Sequence, residues 1–216
     1  MTYLEMVNSV LIRLREREVS SVNDNAYSKL IGQFVNDSKR QVEDAWNWNA
    51  LRKTLTAETQ ANVFNYELNT AGSRFRMLDV INDTSNVFMT PKSSSWFNNA
   101  FLNASTVAVG SPRHYSFNGV SADGDTQVDV YPIPGGVYTI RFNVVDPQDN
   151  LTNDSDVLLV PSEPVILGAV ARAIGERGED GGISSAEATS LAASSLSDHI
   201  AIEETRYPDE LVWGAQ

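Results

Sequence analysis

The stretch Val42-Glu43-Asp44-Ala45-Trp46-Asn47-Trp48-Asn49-Ala50-Leu51-Arg52-Lys53-Thr54-Leu55-Thr56-Ala57 changes its hydrophobic period halfway along. Up to Trp46 it continues a three-and-four spacing that begins at Tyr27 and passes through Leu30, Ile31, Phe34, Val35 and Val42, one face of a long helix ending near Trp48. From about Leu51 the repeat is two: Leu55 and Ala57 alternate with Thr54 and Thr56, as a half-buried strand requires. A helix handing over to strands divides the chain at this point.

On the N-terminal side, Tyr3, Leu4, Val7, Val10, Leu11 and Leu14 predict an amphipathic first helix, and the polar break Ser20-Ser21-Val22-Asn23-Asp24 supplies a cap for the second. On the other side, strands are predicted at Phe64, Tyr66 and Leu68, then over 75–81, 86–89, 105–109, 113–117, 126–131 and 137–145. Asp123-Gly124 and Pro134-Gly135-Gly136 carry the positive φ expected of hairpin connections. Between strands, Ser95-Trp96-Phe97-Asn98-Asn99-Ala100-Phe101-Leu102 predicts one or two helical turns.

After an acidic loop over 146–156 and the run Val157-Leu158-Leu159-Val160, Pro161-Ser162-Glu163-Pro164 opens a third long helix with Ser162 as its cap. A glycine-rich break at 175–182 ends it, and Ser184 with Glu187 gives the capping-box spacing of a fourth. The fourth stripe is Ala188, Leu191, Ala192, Ser195, Leu196, His199 and Ile202. Because amphipathic helices must bury their stripes, the expected fold is α+β: terminal helices packed as an α-helical bundle with an inserted antiparallel β-sandwich or barrel-like unit. The boundaries expected are 1–49 with 161–207 for the helices, 50–160 for the strands, and a docking tail at 208–216.

Composition narrows the function classes. With 42% hydrophobic and 20% charged residues the 216-residue chain reads as folded, and no run approaches the length of a membrane span or a secretion signal. The net charge of −12 is uneven: residues 1–92 hold 11 Lys/Arg and 11 Asp/Glu, and residues 93–216 hold 5 and 17. Such a surface opposes gripping DNA through its phosphates, although DNA can still pass nearby.

No chemistry assembles from the motifs. There is no cysteine, and the two histidines, His114 and His199, stand at no ligand spacing. No Gly-x-Ser-x-Gly elbow is present, and 175–182 follows a helix rather than a strand and lacks Gly-Lys-Ser/Thr. Asp123, Asp125 and Asp129 form the densest carboxylate set without completing a calcium-loop pattern, and the Asp-Gly step is explained by the turn alone. The expectation is no catalytic residue, no metal and no cofactor.

What remains are contact candidates. Trp46 is in register with the second helix and reads as core, whereas Trp96 and Trp213 are less well placed for one. Leu211, Val212 and Trp213 follow Pro208, and an apolar segment after a helix-ending proline needs a place to dock. The partner-binding expectation is therefore Leu211, Val212, Trp213 and Trp96.

The strings Tyr3-Leu4-Glu5-Met6-Val7-Asn8 and Phe34-Val35-Asn36-Asp37-Ser38-Lys39-Arg40-Gln41-Val42-Glu43-Asp44-Ala45-Trp46-Asn47-Trp48, with the order of helices, inserted strands and returning helices, resemble head-to-tail adaptors of short-tailed bacteriophages, of the tail tubular protein A or head-completion type. The resemblance spans essentially the whole chain. It implies a structural virion protein in the neck, assembled in the host cytoplasm as a ring of twelve copies that binds the portal protein on one side and a tail or nozzle protein on the other. DNA would pass through its channel without specific binding, and no membrane is involved. Two other classes remain open from the residues: a β-rich carbohydrate- or receptor-binding module of the virion, on the aromatic strands and Trp96, and a metal-dependent hydrolase on Asp123, Asp125 and Asp129.

Overall fold

In the computed structural model, residues 1–68, 74–102, 106–178 and 184–206 are described. The chain divides into two compact units, Met1–Leu51 with Gln148–Gln216, and Arg52–Pro147.

Among its described residues the first unit holds four α-helices: α1 (Tyr3–Arg13), α2 (Ala26–Ala45), α4 (Ser162–Arg177) and α5 (Ser185–Glu204). α1 starts on a capping box in which Thr2 Oγ1 accepts from Glu5 N and the Glu5 carboxylate accepts from Thr2 N. It buries Tyr3, Met6, Val7, Val10 and Leu11. The cap of α2 is Asn25 rather than a residue of the preceding polar break, and Asp24 instead folds that break by accepting from the backbone of Ser20 and Ser21. α2 stops at Ala45, three residues short of the expected end, and Trp46 is already extended. The core tryptophan is accordingly Trp48, 2% exposed, with Nε1 donating to Val42 O at 2.7 Å, while Trp46 is only half-buried.

α4 packs against α1, α2 and α5 and buries Pro164, Val165, Ile166, Ala169, Val170 and Ala173. Its first residue is Ser162 itself; Pro161 stands at the cap without a side-chain hydrogen bond, since proline's fixed φ prepares the turn and has no N–H to leave unpaired. Gly178 closes it in the left-handed conformation, φ +65°, its N–H donating to Ile174 O. The capping box of α5 forms as expected, Ser184 with Glu187.

The segment 148–160 is held by the helices because its polar backbone finds partners there. Asn36, buried on α2, accepts from Leu151 N at 2.8 Å and donates to Leu151 O at 3.0 Å; Glu43 accepts from Gln148 N at 3.1 Å and Lys39 Nζ donates to Gln148 O. Further on, Tyr3 N and Leu4 N donate to Asp156 O and Asp154 O, and the Asp154 side chain accepts from Val22 N. Leu158 and Val160 are buried while Val157 and Leu159 are exposed, the alternation of an extended chain lying on a surface.

Among its described residues the second unit has ten strands and one helix. The strands are β1 (Arg52–Glu58), β2 (Asn65–Leu68), β3 (Arg76–Asn82), β4 (Val87–Phe88), β5 (Thr90–Pro91), β6 (Val109–Gly110), β7 (His114–Val120), β8 (Thr126–Tyr131), β9 (Ile133–Pro134) and β10 (Thr139–Val145). One sheet runs β1-β10-β3-β4 and another β2-β8-β7-β5, with β6 and β9 as a separate pair. The long pairings are antiparallel, with Leu55 opposite Phe142 and Phe142 opposite Val80; β5–β7 and β6–β9 are short parallel contacts, so the strand unit is mixed.

Ile140, Phe142 and Val144 of β10, Val80 of β3, Val128 and Val130 of β8 and Tyr115 of β7 share one apolar cluster with Leu68 and Met89. Both four-stranded sheets end in open edges, and among the described residues they form no closed barrel, which removes the barrel-like alternative. Asp123-Gly124 turns as expected, with Gly124 at φ +90° between β7 and β8. Pro134-Gly135-Gly136 does not: neither glycine has positive φ, because Ile133–Pro134 is taken up in β9 beside β6. The 95–102 segment is a full nine-residue helix, α3 (Ser94–Leu102). Of the expected strand over 105–109 only Val109 is paired, and residue 105 lies outside the described residues.

Candidate partner-binding surfaces

Trp96 sits on α3, which packs on β7. Its ring meets Phe97, His114 and Tyr131 edge-on at centroid distances of 5.4, 4.9 and 5.4 Å, and Lys92 Nζ stands over it at 5.6 Å. Phe101 extends the cluster by contacts with Phe97, Tyr131 and Phe64. Trp96 is thus half-buried in an aromatic layer, and the exposed apolar residue on α3 is Leu102, 80% accessible at its end. Among the described residues His114 Nδ1 is buried without a hydrogen-bond partner, and desolvation, then the charge of Lys92, push its pKa down. The other three expected contact residues, Leu211, Val212 and Trp213, lie outside the described residues.

Asp129 of the carboxylates considered for chemistry, and Asp156 of the acidic loop, serve the fold. Asp129 accepts from Asn65 Nδ2 at 2.7 Å between neighbouring strands. In the acidic loop, Asp156 accepts from the N–H groups of Asn153 and Thr152, which hold its carboxyl below the usual range. Among the described residues no group of three His, Asp or Glu side chains is placed to share a metal ion. His199 Nδ1 lies 2.8 Å from Ser195 O, one turn back on its own helix.

The helical unit offers a surface that the sequence did not announce. α4 packs on α2 and α5, and the line it presents between them carries little side chain: Gly168, Ala171 and Gly175, bounded by Pro164 and Arg172. The result is a groove of about 400 Å³ whose sides are Ser38, Gln41 and Val42 of α2 and Ser185, Thr189, Ala192, Ala193 and Leu196 of α5. Gly168 lets α2 approach closely, since a Cβ there would lie 3.0 Å from Ser38 Oγ. Arg172 lies along the groove, donating to Ser38 Oγ at 2.9 Å, Gly168 O at 3.3 Å and Gln41 Oε1 at 3.0 Å, all uncharged acceptors.

α5 itself is thinly covered. Only Ala188 and Glu203 are buried, whereas Leu191 and Ile202 of the expected stripe are 50% and 57% accessible. The rest of the expected stripe is covered: Ala188 is buried and Ala192, Ser195, Leu196 and His199 are half-buried, while the buried line adds Glu203, whose carboxylate accepts from Asn49 N at 2.9 Å. Charge is concentrated in the same unit, which carries 9 Lys/Arg against 20 Asp/Glu, while the strand unit carries 7 against 8.

One polar feature escaped the sequence reading although it had a signal. The apolar stripe of α2 jumps from Val35 to Val42; Asn36 and Lys39 fill the gap on the buried side, and Glu43 follows one turn after Lys39. Nothing comparable advertised the groove, which exists because three helices converge.

An α+β protein with exposed apolar residues, an open groove and, among the described residues, no His, Asp and Glu side chains placed to share a metal ion has the profile of an assembly component. The chain matches the family model described as SU10 adaptor protein over residues 1–212 and belongs to that family, a family of structural bacteriophage adaptors. Membership implies a structural protein of the virion neck that contacts portal and tail and assembles as an oligomer. No curated protein matches the chain. Among the described residues no helix is long and apolar enough to cross a membrane.

Proposed function

We propose that this chain is a head-to-tail adaptor that forms a ring of twelve copies between the portal protein and the tail or nozzle protein, with a channel through which DNA passes without specific binding. The observation that carries this reading is the family match over residues 1–212, joined to the order of helices, inserted strands and returning helices. The helical unit is assigned to the portal side and the strand unit to the next tail component. The excess of carboxylates in the helical unit suits a lumen that repels the polyanion in transit.

Leu211, Val212 and Trp213 are the proposed portal contacts, with Trp96 a contact of the strand unit. The carbohydrate-binding alternative is less well supported, because Trp96 is engaged edge-on by three rings and covered by Lys92 instead of presenting a bare face. Mixing the chain with its portal and imaging by electron microscopy should give rings on the portal. Removal of 209–216 should weaken portal binding while leaving a folded protein; undiminished binding would refute the role of this segment. A ring with the acidic side chains of 163–206 mainly on its outside would refute the lumen assignment.

A further inference from the structure

The longest open sheet edge among the described residues is β1, and its backbone is set to receive a further strand. The sheet orders leave β1, β4, β2 and β5 outermost, and β4, β2 and β5 have two, four and two residues against seven in β1. The β1–β10 register runs without a bulge from Arg52 opposite Val145 to Glu58 opposite Thr139. Thr139 O accepts from Asp83 N on the β3 side of β10. In the alternation of an antiparallel ladder, Glu58, Thr56 and Thr54 therefore turn their N–H and C=O groups away from β10. Those groups have no hydrogen-bond partner among the described residues.

Edges of this length are commonly blunted by proline, a bulge or unmatched lysines, since they can accept a strand from another chain. β1 has no proline, and its Lys53 is matched by Asp146 at 2.6 Å. Arg52, Thr54, Thr56 and Glu58 share one face and are exposed, while Leu55 and Ala57 lie half-buried against the apolar cluster. The two outer charges stand at opposite ends of the strand, Arg52 first and Glu58 last. Two such strands, antiparallel and centred on Leu55, set Arg52 opposite Glu58 at both ends, Thr54 opposite Thr56, and Leu55 opposite Leu55. A shift of two residues removes both facing ion pairs, and a shift of one turns the apolar residues to the other face.

We infer that β1 is a docking edge for the β1 strand of a second copy of this chain, antiparallel and centred on Leu55, which joins two β1-β10-β3-β4 sheets into one. The pairing gives the outward N–H and C=O groups of Thr54 and Thr56 their partners and covers each Leu55 with its counterpart. A twofold contact of this kind closes on itself, whereas a ring is built from head-to-tail contacts. The pair is therefore a state of the free chain, beyond the adaptor reading, and two copies joined this way cannot both enter one ring.

Full-length chain without portal should sediment as a monomer–dimer mixture whose dimer share rises with concentration; monomer alone up to the solubility limit would overturn the inference. Arg52→Glu sets like charges opposite each other at both ends and should raise the dissociation constant at least roughly tenfold, and adding Glu58→Arg should restore it. An unchanged constant, or no rescue, would overturn the register. Thr56→Pro removes an N–H that the β1–β10 pairing does not use, so the chain should stay folded by circular dichroism and lose the dimer. A dimer as strong as the parent's would overturn the edge. The chain has no cysteine, so single thiols report the register directly. Two Leu55→Cys residues face each other with Cα atoms about 4.5 Å apart, inside the disulfide range, whereas two Ala57→Cys residues stand four positions, roughly 14 Å, out of register. On oxidation Leu55→Cys should give an interchain disulfide at least roughly tenfold faster than Ala57→Cys, which is equally half-buried, and equal rates would overturn the inference. The oxidised Leu55→Cys dimer should not add to portal until it is reduced; addition at the unlocked rate would overturn the exclusion from the ring. Sedimentation and oxidation are measured without portal, so their failure beside normal ring formation removes this inference alone, and their success without rings removes the adaptor reading alone.

Discussion

Replacing Glu43 by leucine isolates the cost of the charge pair buried in the helical unit. The Lys39 and Glu43 side chains are fully buried, one turn apart on α2 with Nζ 3.0 Å from Oε1, and both reach the backbone of Gln148. Glu43→Leu leaves the Lys39 ammonium buried without its main counter-charge, which costs about 3–5 kcal/mol. At an m value of about 2 kcal/mol per M, the urea midpoint of the helical unit should fall by roughly 2 M. Fluorescence of the buried Trp48 follows the transition.

The double variant Lys39→Met with Glu43→Leu removes the charge penalty but still strips Gln148 N–H and C=O of their partners, about 0.5–1.5 kcal/mol each at this half-buried site. It should therefore be more stable than Glu43→Leu alone. A single variant within about 1 kcal/mol of the parent, or a double variant whose loss equals the sum of the two singles, would refute the claim that the pair is coupled and desolvated.

Other predictions follow from packing, caps and ionisation. Gly168→Val drives a branched side chain against Ser38 and should destabilise the helical unit by about 1–3 kcal/mol in the same urea assay, with no change in the transition of the strand unit. Ser184→Ala removes the cap of α5 and should cost about 1 kcal/mol, seen as faster amide exchange in its first turn. Asp24, Asp156 and Glu187 are all held below the usual carboxylate range by backbone and hydroxyl donors, so the stability they contribute is complete above that range and is lost as pH falls through their depressed values. Thermal unfolding should show an acid limb below about pH 4, which Asp156→Asn makes shallower; an unchanged limb would remove the 146–156 loop from the explanation.

Much of the fold was legible in the sequence because secondary structure is governed by local periodicity and local caps. The stripe of α1, the capping box of Ser184 and Glu187 and the Asp123-Gly124 turn each involve groups within a few residues of one another. The family resemblance also rested on patterns of this kind. The misreadings were partly local, as with the caps at Asn25 and Pro161, and partly set by packing. Trp48 displaced Trp46 from the core because α2 ends early, and Gly135 and Gly136 lost their hairpin geometry because β9 is drawn beside β6.

By itself, then, the sequence determined the two helical segments, the strands between them and the absence of a thiol or paired-histidine chemistry, since those depend on residue type and spacing. Only the tertiary structure decided that Asn36, Lys39 and Glu43 interrupt an apolar stripe to hold residues 148–151, more than a hundred positions away. It also decided that small residues on α4 leave an open groove beside Arg172. A cavity belongs to no single segment: it is the space three helices fail to fill, and periodicity along one helix carries no information about its neighbours' distance.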